Sequence, residues 1–374
     1  MISTETQGLL GLALVLAFFN GGNDVSRAVA ALVAEGSASV RTATLWGAVW
    51  TFVGALVAAL LGGELVRTLA QSLSAAGQSP SFSVAASVIL GASVVVGWAT
   101  LRGLPVSTTH AVVGSIAGVG ITAYGASNVQ WLLLGSKILL PLLASPLLAF
   151  LLVSLVLRFR GVLGRDEVVE ADCLCLGVEP AVVGVSQNSA AFVLEPSQIR
   201  VWTAREHACA QDDRAALRMT RSQVHWLTSA VVSFARAVND APKIFALAVG
   251  LVALEGAPRG GPPLVGFWGV AAAMMLGSIV AGWRVTRVLG KELTPLRVGE
   301  GLVANLVTAV LVIVGTKLGL PLSTTHVSVG AIGGVGMLRG SVDWTVVRRM
   351  AAAWVVTVPA SAACASGVFL AFRL

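Results

Sequence analysis

The chain states its main features twice, at a single spacing. Asn23-Asp24 recurs as Asn239-Asp240, and Gly103-Leu104-Pro105-Val106-Ser107-Thr108-Thr109-His110 recurs as Gly319-Leu320-Pro321-Leu322-Ser323-Thr324-Thr325-His326. Both recurrences fall 216 residues on, from 23 to 239 and from 103 to 319, although the two motifs lie about 80 residues apart within each copy. Residues 99–120 and 315–336 agree at 14 of 22 positions, too many for chance. A duplication this regular restricts the fold to two related halves, each setting its polar motifs in an equivalent place.

The halves are suited to lipid. Of 374 residues, 56% are hydrophobic and 11% charged, with a mean hydropathy of +0.85. A soluble domain carries about 25% charged residues. Apolar runs fall near 8–33, 43–62, 82–101, 104–123 and 131–157, and again near 224–250, 264–289, 299–318, 320–338 and 346–372. Each is long enough, as a helix, to cross ~30 Å of hydrocarbon. The expected fold is an all-α polytopic membrane protein of two repeats with about five hydrophobic segments each. Residues 1–157 form the first repeat and 217–374 the second, joined by a polar stretch at 158–216.

Charge orients these segments. Arg158, Arg160, Arg165, Arg218 and Arg221 flank the polar stretch, and Arg284, Arg287, Lys291 and Arg297 crowd one later loop. Loops of the opposite set hold only Arg67, Arg259 and Lys317. The positive-inside rule then makes the insert cytoplasmic. Five crossings per copy would invert the second repeat relative to the first, with broken helices from the two meeting near the membrane midplane. The net charge of +7 is read as this topology signal, not as nucleic-acid binding. No cleavable leader is expected, since the first apolar run is long and contains Asn-Gly-Gly-Asn-Asp. The location implied is the inner or plasma membrane of a cell.

The insert is not of low complexity. Apolar bursts at 181–185, 191–194 and 199–203 suggest a few strands in a linker tying the halves together. Cys173, Cys175 and Cys209 lie there, where thiols stay reduced, so no disulfide framework is expected with Cys364. With His207 they form a Cys-x-Cys…His-x-Cys pattern that matches no strong zinc spacing.

The motifs carry the chemistry. Asp24 lies inside an apolar run, where a carboxylate is costly unless paired or hydrated. Gly21 and Gly22 allow the helix to unwind there, so that Asp24, the Asn23 amide oxygen and free carbonyls could cage a hard cation. Copy two keeps Asn239-Asp240 but loses the glycines, and Pro242 is available to break its helix. Arg27 and Lys243 each stand three residues beyond an aspartate, within reach of an ion pair. Pro105 and Pro321 end the preceding segments, and Ser107, Thr108 and Thr109, like Ser323, Thr324 and Thr325, supply cap hydroxyls to the next helix. Unpaired N–H groups and the positive dipole end make such a first turn an anion site, and the added hydroxyls suit a tetrahedral oxyanion. His110 and His326 close the motifs as anion ligands, proton relays or plain interhelical hydrogen-bond partners. No nucleophile elbow is present, and the chain is not read as an enzyme.

These residues resemble the inorganic phosphate transporter (PiT) family, which repeats a Gly-Ala-Asn-Asp-Val-Ala-Asn signature and a Gly-Leu-Pro-Val-Ser-Thr-Thr-His motif. Gly21-Gly22-Asn23-Asp24-Val25 is similar to the first, Asn239-Asp240 to its core, and both Ser-Thr-Thr-His segments match almost letter for letter. The likeness covers both membrane halves and not the insert. It implies a symporter importing inorganic phosphate with Na⁺ or H⁺ by alternating access, often dimeric and without an organic cofactor. Asn23, Asn239 and the six Ser-Thr-Thr residues would bind phosphate, while Asn23, Asp24, Asn239 and Asp240 would hold the coupling cation. Where the family usually has Asn this chain has Arg27, and Lys243 stands at the related place. These basic residues, with His110 and His326, are candidates for anion binding or charge balance. A sulfate permease is the alternative in the same class, and a passive anion channel the alternative from another. Sulfate offers no proton at neutral pH to carboxylates such as Asp24 and Asp240, and a passive anion pore has no reason to bury them.

Overall fold

The computed structural model describes residues 4–374 apart from 35, 75–79, 164–172, 180–182, 186–191, 195–197, 214, 255–263, 293–297, 341 and 343. Arg165, Arg259 and Arg297 of the charge pattern lie outside the described residues. Copy one contributes α1 (Thr4–Ala34), α2 (Val40–Leu61), α3 (Gly63–Ser72), α4 (Phe82–Leu101) and α5 (Thr108–Tyr124). It ends with a helix that begins as α6 (Trp131–Leu133), passes through a π turn at Leu134–Leu139 and continues as α7 (Leu140–Leu163). After the insert, copy two supplies α9 (Arg221–Leu254), α10 (Leu264–Glu292), α11 (Val298–Lys317), α12 (Thr324–Arg339) and α13 (Trp344–Ala371).

Seven of the described helices are long and apolar enough to cross a membrane, and the chain is an integral membrane protein. The sequence predicts ten segments. The shortfall has two physical sources: α5 and α12 have 17 and 16 residues, roughly 24–26 Å at 1.5 Å each, and α9 carries Arg236, Asp240 and Lys243 in its middle.

The copies interlock by exchanging partners. α1 packs most extensively on α10, and its counterpart α9 on α2; α5 packs on α13, and its counterpart α12 on α7. Missing side chains make these crossings close. A Cβ on Gly277 of α10 would lie 1.8 Å from the Phe18 carbonyl oxygen, and one on Gly54 of α2 would lie 2.3 Å from that of Phe234, the residue 216 beyond Phe18. Likewise Gly114 meets the Val358 carbonyl at 2.3 Å, and its counterpart Gly330 meets that of Pro146 at 2.0 Å. The duplication therefore extends from the motifs to the contacts that hold the halves together.

One expectation is corrected here. α1 does not unwind at Gly21–Gly22, and α9 runs through Pro242 without a break. The glycines admit α10 instead, because a Cβ on Gly21 would stand 2.0 Å from the Met274 carbonyl oxygen. The breaks lie elsewhere, between α4 and α5 and between α11 and α12.

The insert holds β1 (Cys173–Glu179), β2 (Val183–Val185), β3 (Phe192–Leu194), β4 (Gln198–Ala204), α8 (Glu206–Gln211) and β5 (Ala215–Thr220). β1 is the centre of an antiparallel sheet ordered β4-β1-β5, and β2 pairs with β3. Cys175 and Cys209 are joined as a disulfide, contrary to the expectation of reduced thiols. Alternation along β1 puts Cys173 and Cys175 on one face, and all three sulfurs lie within 4.8 Å of one another. His207 is exposed while Cys209 is buried, so it does not join them.

Candidate functional site

The site begins where two helices begin. α4 stops at Leu101 and α11 at Lys317; Gly103 and Gly319 then take φ of +72° and +71°, a left-handed turn that glycine adopts without strain. Ser107 and Ser323 follow in nearly identical extended conformations and cap α5 and α12, accepting from the backbone N–H of His110 at 3.3 Å and of His326 at 3.4 Å. Both motifs start a helix as expected, with the serine alone as cap and the threonines inside the first turn. The two cap hydroxyls lie 3.0 Å apart, so the N-terminal ends of α5 and α12 face each other across the junction of the copies. Thr108, Thr109, Thr324 and Thr325 are all buried in these first turns. The rings of His110 and His326 are 4.6 Å apart, and His326 Nδ1 pairs with the Leu142 carbonyl at 2.9 Å.

α1 and α9 bring the charges. Arg27 ion-pairs with Asp24 and donates to the Val106 carbonyl, while Lys243 Nζ lies 3.0 Å from Asp240 Oδ1 and donates to the Leu322 carbonyl at 2.7 Å. Val106 and Leu322 are equivalent residues, so each cation ties its aspartate to the turn that precedes the capped helix of its own copy. Lys243 also reaches across the junction to the Thr109 hydroxyl at 2.8 Å.

The asparagines hold those same turns. Asn23 Nδ2 donates to the Leu104 carbonyl at 2.9 Å and its Oδ1 accepts from the Val106 N–H at 3.1 Å; Asn239 Nδ2 donates to the Leu322 carbonyl at 2.9 Å. Thr100 and Thr316, an identical pair at the repeat spacing, bond the two amides at 3.2 and 3.3 Å. Asn23 and Asn239 thus position the turns that precede α5 and α12, with their amides already engaged there.

Two residues outside the repeated motifs matter as much. Asn20 Nδ2 lies within hydrogen-bond distance of Asp24 Oδ2 (3.1 Å), the Thr108 hydroxyl (3.0 Å) and Asp240 Oδ2 (3.3 Å), linking both carboxylates to the first turn of α5. Its counterpart 216 residues on is Arg236, fully buried and bonded to the Thr51 hydroxyl of α2. The sequence signal for them is the repeat spacing itself, applied one helical turn before each Asn-Asp pair.

All the aspartate oxygens are therefore engaged: Asp24 by Arg27 and Asn20, Asp240 by Lys243, Asn239 and Asn20. Around them, Asn20 Oδ1, His110 Nδ1, His326 Nε2 and two nitrogens of Arg236 are buried with no partner among the described residues. Buried polar atoms left over in one place are what a polar ligand would satisfy.

Comparison with known proteins identifies the family. The profile of the phosphate transporter family matches residues 20–365. A Pyrococcus furiosus protein carrying the name phosphate permease is 28% identical over 98% of this chain and 95% of its own length. An Arabidopsis thaliana protein named inorganic phosphate transporter 2-1, chloroplastic, is 29% identical over 92% of this chain and 68% of its own. A solved structure described as the sodium-dependent phosphate transporter superposes with a TM-score of 0.74 over 99% of both chains, at 21% identity, and shares the fold. With its motifs, their geometry and a match over nearly its whole length, this chain belongs to the phosphate transporter family.

Proposed function

We propose that the protein imports inorganic phosphate by proton-coupled symport with alternating access. The observation that carries this reading is the pair of serine-capped helix starts, 3.0 Å apart at Ser107 and Ser323 and flanked by two buried aspartate–cation pairs. Backbone N–H groups and hydroxyls at two dipole ends suit a tetrahedral oxyanion, and the carboxylates accept from a protonated phosphate oxygen. Sulfate has no such proton at neutral pH, and a passive anion channel gains nothing from buried carboxylates. The two copies are taken to enter the bilayer in opposite orientations, with one half moving against the other. The flanking arginines favour a cytoplasmic 158–216 insert over the opposite side that the Cys175–Cys209 disulfide would suit.

Proton coupling is favoured over sodium coupling by the ion pairs. A cation cage at Asp24 or Asp240 would first have to displace Arg27 or Lys243, and α1 offers no unwound carbonyls. The second reading, Na⁺ coupling, is favoured by the structural neighbour described as sodium-dependent. Phosphate uptake into proteoliposomes under separately imposed H⁺ and Na⁺ gradients distinguishes them. Accumulation under the pH gradient alone is expected; accumulation only with inward Na⁺ moves the assignment to sodium, and equilibration without accumulation under either gradient returns it to a channel.

A further inference from the structure

Arg236 is the bulkiest fully buried side chain among the described residues, 1% exposed in the middle of α9. Its Nη2 donates to the Thr51 hydroxyl at 2.5 Å, while Nε and Nη1 meet no acceptor among the described residues. A guanidinium stays charged and carries five donors in a fixed fork. A buried charge at membrane depth with donors left unpaired is costly and marks function more often than packing. Asp24 and Asp240 lie within its electrostatic reach, but each already has a cation of its own in Arg27 and Lys243. Three fixed positive groups therefore face two carboxylates.

We infer that Arg236 is an anion-binding residue whose charge sets the species taken: its excess positive charge is neutralised by monovalent dihydrogen phosphate and overshot by a dianion. The inference rests on the phosphate reading above. Dihydrogen phosphate also matches the donors and acceptors present. Its two P–OH groups donate to the carboxylates of Asp24 and Asp240, and its two bare oxygens accept from Arg236 and from the first turns of α5 and α12. Sulfate fails on both counts, being divalent and without a donor. At the position equivalent to Arg236 the first copy has neutral Asn20, so this charge is not duplicated.

The group whose ionisation matters is phosphate itself, near neutral pH. The protein groups around it are Asp24 and Arg27 on α1, Asp240 and Lys243 on α9, and His110 and His326 at the starts of α5 and α12. Of the helices packed on α9, α2 carries only Arg41 in its first turn, α11 only Glu300 and Lys317 near its ends, α3 the exposed pair Glu64–Arg67, and α10 its charges from Arg284 onward.

The test is counterflow of labelled phosphate in proteoliposomes of the full chain, with equal pH on both faces and pH varied across neutrality. For the wild type, KM in total phosphate should rise with pH and stay constant when expressed as dihydrogen phosphate, with excess sulfate failing to compete. R236Q should raise KM at low pH by about tenfold or more, the scale of a lost hydrogen bond to a charged group. R236K keeps the charge but loses the fork and should raise it several-fold. A wild-type KM that is flat or falls with pH overturns the charge selection. An unchanged KM in R236Q, with only maximal rate or thermal stability reduced, makes Arg236 a structural counter-ion. If R236Q does not fold, an unchanged KM in R236K assigns Arg236 the same structural role. A wild type without any phosphate counterflow overturns the phosphate reading itself, and this inference with it.

Discussion

Around Asp24 the first copy places an amide four residues before the carboxylate and a guanidinium three after; around Asp240 the second places a guanidinium before and an ammonium after. The backbones differ far less. Gly103 and Gly319 agree within a degree in φ, and Ser107 and Ser323 cap their helices in the same way. Geometry has been kept in duplicate while charge has diverged. The first half uses its neutral position, Asn20, to join the two carboxylates; the second uses the same position to bury a third cation against α2. A symmetric frame with an asymmetric field gives one site between the copies, with unlike halves.

The largest expected effect comes from the carboxylates. Asp24→Asn and Asp240→Asn each strand a buried cation, a loss on the order of 3–5 kcal/mol when one partner of such a pair is removed. The halves should not respond equally. Lys243 would keep the Thr109 hydroxyl and the Leu322 carbonyl at 2.8 and 2.7 Å, whereas Arg27 would keep the Val106 carbonyl and a 3.4 Å contact to Asn23. Asp24→Asn should therefore lower the thermal unfolding midpoint in detergent more than Asp240→Asn. Both should abolish gradient-driven uptake, and strong accumulation by the double variant would remove the carboxylates from coupling.

A smaller effect belongs to the hydroxyls. Thr108→Val and Thr324→Val keep shape and remove a proposed donor to the anion, worth ~1–3 kcal/mol or roughly 5- to 150-fold in phosphate affinity. Thr108 also accepts from Asn20, so its loss loosens the link between the carboxylates and α5 and should weaken binding more than Thr324→Val does. Equal losses measured by phosphate titration would mean that Asn20 is not the organising residue proposed for the first half. No loss in either variant takes the hydroxyls out of the site.

How much of this is legible in the sequence follows from where the copies agree. Identical motifs at one spacing locate both helix caps and both Asp–cation pairs, because capping and i,i+3 pairing are local and depend only on nearby residues. Gly21 and Gly22 read locally as an unwinding point, yet their reason lies in Met274 and Ala281 of another helix, which no local pattern reveals. Asn20 and Arg236 do not stand out, because identity between the copies marks a motif and their importance lies in their difference. β1 and β5 are hidden for a similar reason. Cys173–Glu179 has a glycine in its middle, and Ala215–Thr220 runs up to the start of α9, so neither reads as an isolated apolar burst.

The smallest and most specific effect concerns Arg27, where the chain departs from its family's usual asparagine. Arg27 is bonded to Asp24 and to the turn at Val106, so it both neutralises the carboxylate and steadies the start of α5. Arg27→Asn leaves the turn to Asn23, which already holds it through the Leu104 carbonyl and the Val106 N–H. Asp24 loses its ion pair but keeps Asn20 and lies within the field of Arg236. The fold should therefore survive at reduced stability, and Asp24 Oδ1 should become available to a mobile cation. Uptake by this variant is therefore expected to gain a dependence on external Na⁺ that the proposed proton-coupled wild type would not show, with only a modest change in KM for phosphate. The matching change in the other half, Lys243→Asn, should do this less well, because it also removes the link to Thr109 across the junction. If the wild type already requires Na⁺ and Arg27→Asn changes phosphate affinity alone, then Arg27 serves the anion. The two halves would in that case divide the binding of phosphate between them, and coupling would have to be sought outside these pairs.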